Sequence, residues 1–310
     1  MANSIKKIFL TGGNGMVGRN IRENKLIQQY EIFSPNREEL DLLNKEKTFD
    51  YIKKIKPDLI IHAAGKVGGI QANINNPTDF LEINLEIGRN IILSAKELRV
   101  KRLLNIGSSC MYPKDINIPI KEENLLKGQI EPTNEGYALA KIVIAKLCTY
   151  IKKENPDLEY KTVIPCNLYG KYDKFDPKVS HLISAIIEKT HKAIINKENF
   201  IEIWGDGSAK REFLYAEDLA ALIEKCISHF DSIPDIMNLG LGYDYSIKEY
   251  YEETAKVLDF KGEFKYNLEK PIGMKRKLLD ITILKELGWE VKRSLNEGIL
   301  KTYSFYKEGK

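Results

Sequence analysis

Three side chains in this 310-residue chain have the types and the spacing to move a proton onto a carbonyl oxygen. Tyr137 and Lys141 stand four residues apart in a stretch of helical periodicity, so they share one helix face. Ser108 precedes them by 29 residues. A phenol can exchange a proton with a substrate oxygen. A neighbouring ammonium is expected to lower its pKa and to hold a cofactor ribose, while the serine hydroxyl orients the same oxygen. Tyr-x-x-x-Lys is a common pattern, and Tyr266/Lys270, Tyr303/Lys307 and Tyr306/Lys310 repeat it without a matching context. Position selects Tyr137/Lys141, which follows a fourth apolar strand ending in Ser108-Ser109.

That chemistry needs a hydride carrier, and the first strand leads straight into a loop suited to one. Lys7–Thr11 is followed by Gly12-Gly13-Asn14-Gly15-Met16-Val17-Gly18 and then by a helical pattern. Gly12 permits the tight turn, Gly15 lets backbone N–H groups approach a pyrophosphate, and Gly18 permits close helix–strand packing. Between strand and helix this is a dinucleotide signal. An NAD site usually ends its second strand in Asp or Glu, but this chain reads Phe33-Ser34-Pro35-Asn36-Arg37. Arg37 is suited to a 2′-phosphate, which favours NADP(H); otherwise it is a solvated surface charge.

Alternating elements must hold these groups. Apolar runs at Lys7–Thr11, Glu31–Phe33, Leu59–Ala63, Leu103–Gly107 and Thr162–Pro165 are separated by helical patterns over Met16–Gln28, Lys45–Ile55, Asp79–Leu98 and Glu135–Lys153. Repeated strand–helix units imply an α/β, doubly wound Rossmann-type parallel sheet. After Gly170 the pattern weakens, with helices expected near His181–Lys192, Ala216–His229 and Ser246–Leu258. The expected division is a dinucleotide domain over 1–168, with a returning segment near 212–240. A smaller mixed substrate domain would take 169–211 and 241–310.

Composition excludes other roles. The 48 basic and 44 acidic residues nearly cancel, to +4, and no basic run is interleaved with aromatics as in a nucleic-acid binder. Hydrophobic residues make up 43% of the chain, too many for intrinsic disorder. No apolar run reaches membrane-spanning length and no leader pattern is visible, so a soluble cytoplasmic protein is expected. Cys110, Cys148, Cys166 and Cys226 are scattered, as are the four histidines. Reduced thiols and no metal site are expected.

Longer motifs go further. Gly-Met-Val-Gly (15–18), Lys-Val-Gly-Gly-Ile (66–70), Gly-Ser-Ser-Cys-Met-Tyr-Pro-Lys (107–114), Glu-Pro-Thr-Asn-Glu (131–135) and Tyr-Ala-Leu-Ala-Lys (137–141) occur in order. Asn-Leu-Tyr-Gly (167–170), Trp-Gly-Asp-Gly (204–207), Arg-Glu-Phe-Leu (211–214) and Arg-Lys-Leu-Leu-Asp (276–280) follow. Over nearly its whole length the chain resembles the extended short-chain dehydrogenase/reductases. Within them it resembles the GDP-L-fucose synthases, which are 3,5-epimerases and 4-reductases.

The resemblance implies that Cys110 is the base removing protons at C3 and C5 beside a 4-keto group, and that His181 is the acid on the opposite face. Sugar-nucleotide dehydratases of the superfamily carry acidic residues where this chain has Ser109 and Cys110. By residue type alone, Cys110 reads as a buried small hydrophobe and His181 as a capping or core histidine. The resemblance further implies Arg211 on a sugar-nucleotide diphosphate, with Lys189, Trp204 and Asp280 as other contacts; Trp204 alone reads as a core residue. Asn167 and Leu168 would lie near the nicotinamide, and Asp41 and Leu42 beyond Arg37 would also belong to the cofactor site.

Three departures matter. The family's glycine loop often has His-Arg where Gly13-Asn14 stands, which removes a cation for the 2′-phosphate and leaves more to Arg37. Gly136 replaces the proline usual before the catalytic tyrosine and is expected to loosen the backbone. Cys166 replaces a small polar residue. The expectation is an NADPH-dependent 3,5-epimerase/4-reductase of a GDP-linked 4-keto-6-deoxy hexose or related heptose, working as a homodimer paired through helices 79–98 and 135–153. The alternatives are a reductase alone, a 4-epimerase with permanently bound NAD, and a non-catalytic dinucleotide-binding sensor.

Overall fold

The structure is a computed structural model and describes residues 5–176, 180–270 and 274–309. Its first half alternates as the sequence pattern requires: β1 (Lys7–Thr11), α1 (Met16–Glu23), β2 (Glu31–Phe33), α2 (Lys45–Ile55), β3 (Leu59–His62), α3 (Ile70–Asn75), α4 (Pro77–Glu97), β4 (Arg102–Ile106), α5 (Glu135–Glu154) and β5 (Glu159–Pro165). The second half runs β6 (Asn167–Tyr169), α6 (Leu182–Ile195), β7 (Phe200–Trp204), β8 (Lys210–Arg211), β9 (Phe213–Tyr215), α7 (Ala216–Ser228) and β10 (Ile236–Leu239). It continues with β11 (Tyr245–Ser246), α8 (Ile247–Leu258), β12 (Glu263–Asn267), β13 (Arg276–Lys277), α9 (Thr282–Glu286) and α10 (Leu295–Glu308).

The central sheet has the order β2-β1-β3-β4-β5-β10, and every neighbouring pair is parallel. Strand alternation explains why both faces are apolar. Ile8, Leu10, Leu59, Ile61, Leu104 and Ile106 pack toward Ile21 of α1 and Leu219 and Ile223 of α7. The intervening Phe9, Ile60 and Leu103 pack toward Ile52 of α2, Ile91 of α4 and Ile144 of α5. The chain passes from β1 outward to β2, then returns to the other side of β1 as β3. The strand order therefore reverses at the carboxyl ends of β1 and β3, the crevice where such sheets bind nucleotides.

The later elements form a second core. Ile183, Ile186 and Ile187 of α6, Tyr250 and Tyr251 of α8, Ile299 of α10 and Ile201 of β7 bury one another. Three small sheets, β11-β8-β13, β12-β7 and β6-β9, are separate from the central one.

Among the boundaries that differ from the periodicity reading, two have a clear physical cause. The helix expected to reach Gln28 stops at Glu23, because the Asn24 carbonyl Oδ1 accepts the Leu26 and Ile27 N–H groups and turns the chain into a 3₁₀ segment. Strand β5 begins three residues before the expected Thr162, at Glu159. Its buried Lys161 disguised it; that ammonium donates to the Phe230 and Ile233 carbonyls, both at 2.6 Å, so it needs no solvent.

Candidate active site

The glycine loop caps the β1/β3 crevice. Gly12 has φ +71°, open to glycine at little cost, and a Cβ there would lie 2.7 Å from the Ala64 nitrogen. A Cβ on Gly18 would lie 2.2 Å from the Gly12 carbonyl oxygen, so only glycine lets α1 sit this close to the loop. Beneath them the Thr11 hydroxyl accepts the Ala64 N–H and meets His62 Nδ1 at 3.0 Å. Burial, with the Lys141 charge nearby, pushes the His62 pKa down to about 3, so this imidazole is neutral and structural. Gly15 caps α1 with no side-chain acceptor, leaving helix N–H groups directed at the loop.

These features fit a bound dinucleotide. The Ser34 hydroxyl, just past β2, is buried with no hydrogen-bond partner among the described residues. A Cβ on Gly13 would come within 1.8 Å of it, so Gly13 keeps that hydroxyl accessible to the loop. Arg37, with its side chain 80% exposed, faces Asp41 only at 4.0 Å. Asp41 Oδ1 accepts the Leu43 N–H, and the Leu42 carbonyl is held by Asn90. Arg22 was not legible as a site residue. Its side chain leaves α1 to lie along Gly13, with Nη1 3.4 Å from Asn14 Oδ1, and so returns a cation to the loop that lacks the family's arginine. No spacing rule links the last turn of a helix to the loop before it.

Tyr137 and Lys141 share the buried face of α5, and Ser108 caps the turn after β4. The Ser108 hydroxyl accepts the Cys110 N–H at 3.5 Å, and it favours the charged forms of both the Tyr137 phenol and the Cys110 thiol. Lys141 Nζ donates to the Ile106 carbonyl at 3.0 Å and stands 5.9 Å from the Tyr137 ring centre. Its pKa falls to about 8, chiefly through burial. The expected lowering of the Tyr137 pKa is not what the structure gives. Burial, followed by the Cys110 charge, raises it strongly, and the Ser108 hydrogen bond offsets only part. Tyr137 therefore stands protonated, the form that donates. Gly136 also differs from expectation. A Cβ there would lie 2.5 Å from the Pro77 carbonyl oxygen, so the glycine draws the starts of α4 and α5 together beside Tyr137.

Cys110 is buried, and that burial raises its pKa; Lys277, Ser108 and Lys141 each pull it back in part. His181 stands before α6, with Nδ1 3.1 Å from Asp173 Oδ1. Its burial works against the charged form, but the Asp173 carboxylate outweighs this and raises the His181 pKa. Ser184 of α6 holds the other Asp173 oxygen. Asp173 was not singled out from the sequence. Its signal was weak: a carboxylate in the loop after Asn-Leu-Tyr-Gly, eight residues before the histidine it meets.

Arg211 lies on β8, with Nη1 donating to the Lys210 carbonyl at 2.7 Å. Lys189 Nζ stands 5.4 Å from the Trp204 ring centre, and that indole is 52% exposed, a surface platform rather than a core residue. Asn167 Nδ2 donates to the Glu212 carbonyl, which ties β6, and Leu168 with it, to the residue after Arg211. Asp280 follows β13 by three residues. Its carboxylate accepts the Thr282 N–H at the start of α9, and its backbone joins Ile120 and Asn238. Among the described residues, no group of three or more His, Cys, Asp or Glu side chains is placed to hold a metal ion, and no helix is long and apolar enough to cross a membrane.

The sheet order, the glycine cradle and the Ser108/Tyr137/Lys141 set are those of a dinucleotide-dependent enzyme. The chain belongs to the NAD dependent epimerase/dehydratase family, whose model matches residues 8–240. It is 53% identical to GDP-L-colitose synthase of Yersinia pseudotuberculosis, over 97% of each chain. It is 49% identical to GDP-L-fucose synthase of Azorhizobium caulinodans, over 98% of this chain and 97% of that one. Among solved structures, a GDP-mannoheptose C4 reductase from Campylobacter jejuni with NADP bound superposes with a TM-score of 0.88 at 29% identity, covering 99% of this chain and 100% of that one.

Proposed function

We propose that the protein is an NADPH-dependent 3,5-epimerase and 4-reductase of a GDP-linked 4-keto-6-deoxy sugar, yielding GDP-L-fucose or a closely related GDP-sugar, which includes a heptose. One observation carries the reading. The Ser108 hydroxyl accepts the Cys110 N–H at 3.5 Å and acts on both the Tyr137 phenol and the Cys110 thiol, so the group for reduction and the group for epimerisation meet beside one hydroxyl, where a C4 carbonyl oxygen would sit.

The residues then divide the work. The Cys110 sulfur, once ionised, takes the proton from C3 or C5; the electron pair moves to the C4 oxygen, where Ser108 and Tyr137 hydrogen-bond the enolate. His181, whose charged form Asp173 favours, returns a proton to the carbon from the opposite face. Bound NADPH supplies the hydride for C4. Tyr137 gives its phenolic proton to the C4 oxygen, while Lys141 stays fixed on the Ile106 carbonyl beneath it. The Gly12–Gly18 loop, Ser34, Arg37 and Arg22 would hold the dinucleotide, with Asn167 and Leu168 near its nicotinamide. Arg211 is suited to bidentate contact with the diphosphate, and the exposed Trp204 with Lys189 to the rest of the GDP-sugar. In this reading residues 1–168 and the 212–240 return bind the cofactor, and 169–211 with 241–310 bind the nucleotide sugar.

We also propose a homodimer. Leu139, Val143 and Tyr150 are exposed along one side of α5, an apolar stripe suited to a second copy of the helix pair α4/α5.

The test is incubation with NADPH and GDP-4-keto-6-deoxymannose in deuterated water, with the label located by NMR. Deuterium at C3 and C5 of a reduced product supports the reading. A reduced product without label reduces it to a C4 reductase, and absence of NADPH consumption with this sugar and its heptose analogue overturns it. Cys110→Ala should lose epimerisation and keep reduction of a pre-epimerised ketone.

A further inference from the structure

Three residues of α1, spaced three and four apart so that they share one face, hold the chain just after β6. The Asn20 side-chain amide donates to the Lys171 carbonyl at 3.1 Å, as well as to the Met16 carbonyl of its own helix. The Glu23 carboxylate accepts the Lys171 ammonium at 2.8 Å on one oxygen and the Tyr172 hydroxyl on the other. The Arg19 guanidinium lies 4.9 Å from the Tyr172 ring centre, and its Nε donates to the Asn14 carbonyl of the glycine loop at 3.1 Å. Phe305 of α10 meets the same ring edge-on, with the ring centres 4.9 Å apart.

Tyr172 has φ +71°, the left-handed region that an aromatic residue rarely occupies. Such a conformation persists where its surroundings over-determine it, and the contacts with Arg19, Glu23 and Phe305 do so here. The turn made at Tyr172 sets the direction of the next residue. Asp173 is buried, and its N–H donates back to the Gly170 carbonyl. Its carboxylate is divided between His181 at 3.1 Å and the Ser184 hydroxyl, and the oxygen that meets His181 also accepts the Lys174 N–H. Among the described residues, Asp173 and then Lys174 are the charged groups that act on His181.

We propose that Tyr172 is a positioning residue for epimerisation: clamped to α1, it fixes the turn that aims Asp173 at His181. The inference deepens the proposed function and rests on it for the role of His181 as the acid. Tyr172 makes no bond to substrate and keeps its own proton throughout. Its clamp joins the helix that follows the glycine loop to the segment that holds the histidine, so the cofactor side of the molecule keeps the acid of the epimerisation side in register. With the clamp released, the Asp173 carboxylate can swing away, and the imidazole loses the partner that favours its charged form.

The test uses the full-length protein with Tyr172→Asn, Tyr172→Phe and Glu23→Gln. Asparagine tolerates positive φ, so the first variant removes the ring without adding backbone strain. Phenylalanine keeps the ring and loses only the hydroxyl, and Glu23→Gln changes a half-exposed side chain away from the reacting groups. The His181 titration is read by NMR from protein carrying isotope-labelled histidine, its signal assigned among the four histidines by His181→Gln. Deuterium entry at C3 and C5, reduction of a pre-epimerised ketone and NADPH affinity are measured alongside. Tyr172→Asn should lower the His181 pKa by about half a unit or more and slow epimerisation above neutrality by about threefold, with reduction and NADPH affinity within about twofold of wild type. Glu23→Gln should move the titration the same way by less, and Tyr172→Phe should keep most of the wild-type value. A His181 titration unmoved in both Tyr172→Asn and Glu23→Gln overturns the proposal. So does an equal fall in epimerisation, reduction and NADPH affinity, which would place Tyr172 in support of the cofactor helix alone. If wild type takes up no label while Tyr172→Asn still displaces the titration, the clamp stands and the epimerase reading falls.

Discussion

Replacing Asp173 with Asn keeps the shape of the side chain and removes the charge that faces His181. In the wild-type structure the imidazole and carboxylate meet at 3.1 Å, and the pair holds the His181 pKa above its ordinary value despite burial. A hydrogen bond to a charged group contributes roughly 1.5–3 kcal/mol. The His181 side chain is 37% exposed, so solvent screening places the pair at the lower end, about 1.5 kcal/mol, or about tenfold in a rate that needs the imidazolium. The sign is fixed by the direction of the shift. A histidine raised by a partner has that stabilisation in full below its unfolded pKa of 6.5 and loses it as pH rises through the folded value. Asp173→Asn should therefore move the falling alkaline limb of epimerisation to lower pH, with about a tenfold loss on the alkaline side of neutrality and a smaller loss in acid. The assay is deuterium incorporation with inversion at C3 and C5 as a function of pH, with reduction of a pre-epimerised ketone as the internal reference. An alkaline limb that stays in place would refute the role of Asp173 as the group charging His181. An equal fall in both steps would mean that the loop after β6 had simply lost its shape.

Three further outcomes follow from the geometry. Arg37→Glu puts a carboxylate where the cofactor reading places a 2′-phosphate, and should weaken NADPH far more than NADH, by about tenfold or more in Kd; fluorescence titration with both nucleotides checks it. Gly136→Ala adds a Cβ 2.5 Å from the Pro77 carbonyl oxygen, an overpacking that typically costs about 1–3 kcal/mol. It should lower the thermal midpoint and slow reduction together, measured by calorimetry and NADPH consumption. Val143→Glu places a charge in the exposed apolar stripe of α5 and should shift the protein from dimer to monomer in light scattering, with the monomer still folded by circular dichroism.

Much of this molecule is local in origin, and so was open to a linear reading. The central strands alternate between two apolar faces and the helices keep a 3.6-residue period, because each element buries its own stripe against the same sheet. The glycine loop is legible for the same reason: Gly12 and Gly18 answer to contacts within or beside a single strand–turn–helix unit. Lys161 shows the limit. A lysine in a strand reads as an exposed position until the fold supplies two carbonyls from the turn after α7.

The sequence by itself determined which side chains are candidates for the chemistry: a phenol, an ammonium and a hydroxyl in the right order, a thiol after the fourth strand, and a glycine cradle for a dinucleotide. Only the tertiary structure decided the charges those groups work under. Tyr137 is kept protonated by burial rather than made acidic by Lys141. Asp173 favours the charged form of His181, and Arg22 returns a cation to the glycine loop. The reason is physical. Residue type and period are properties of neighbours in sequence, whereas desolvation and Coulomb attraction depend on what folding brings within a few ångströms.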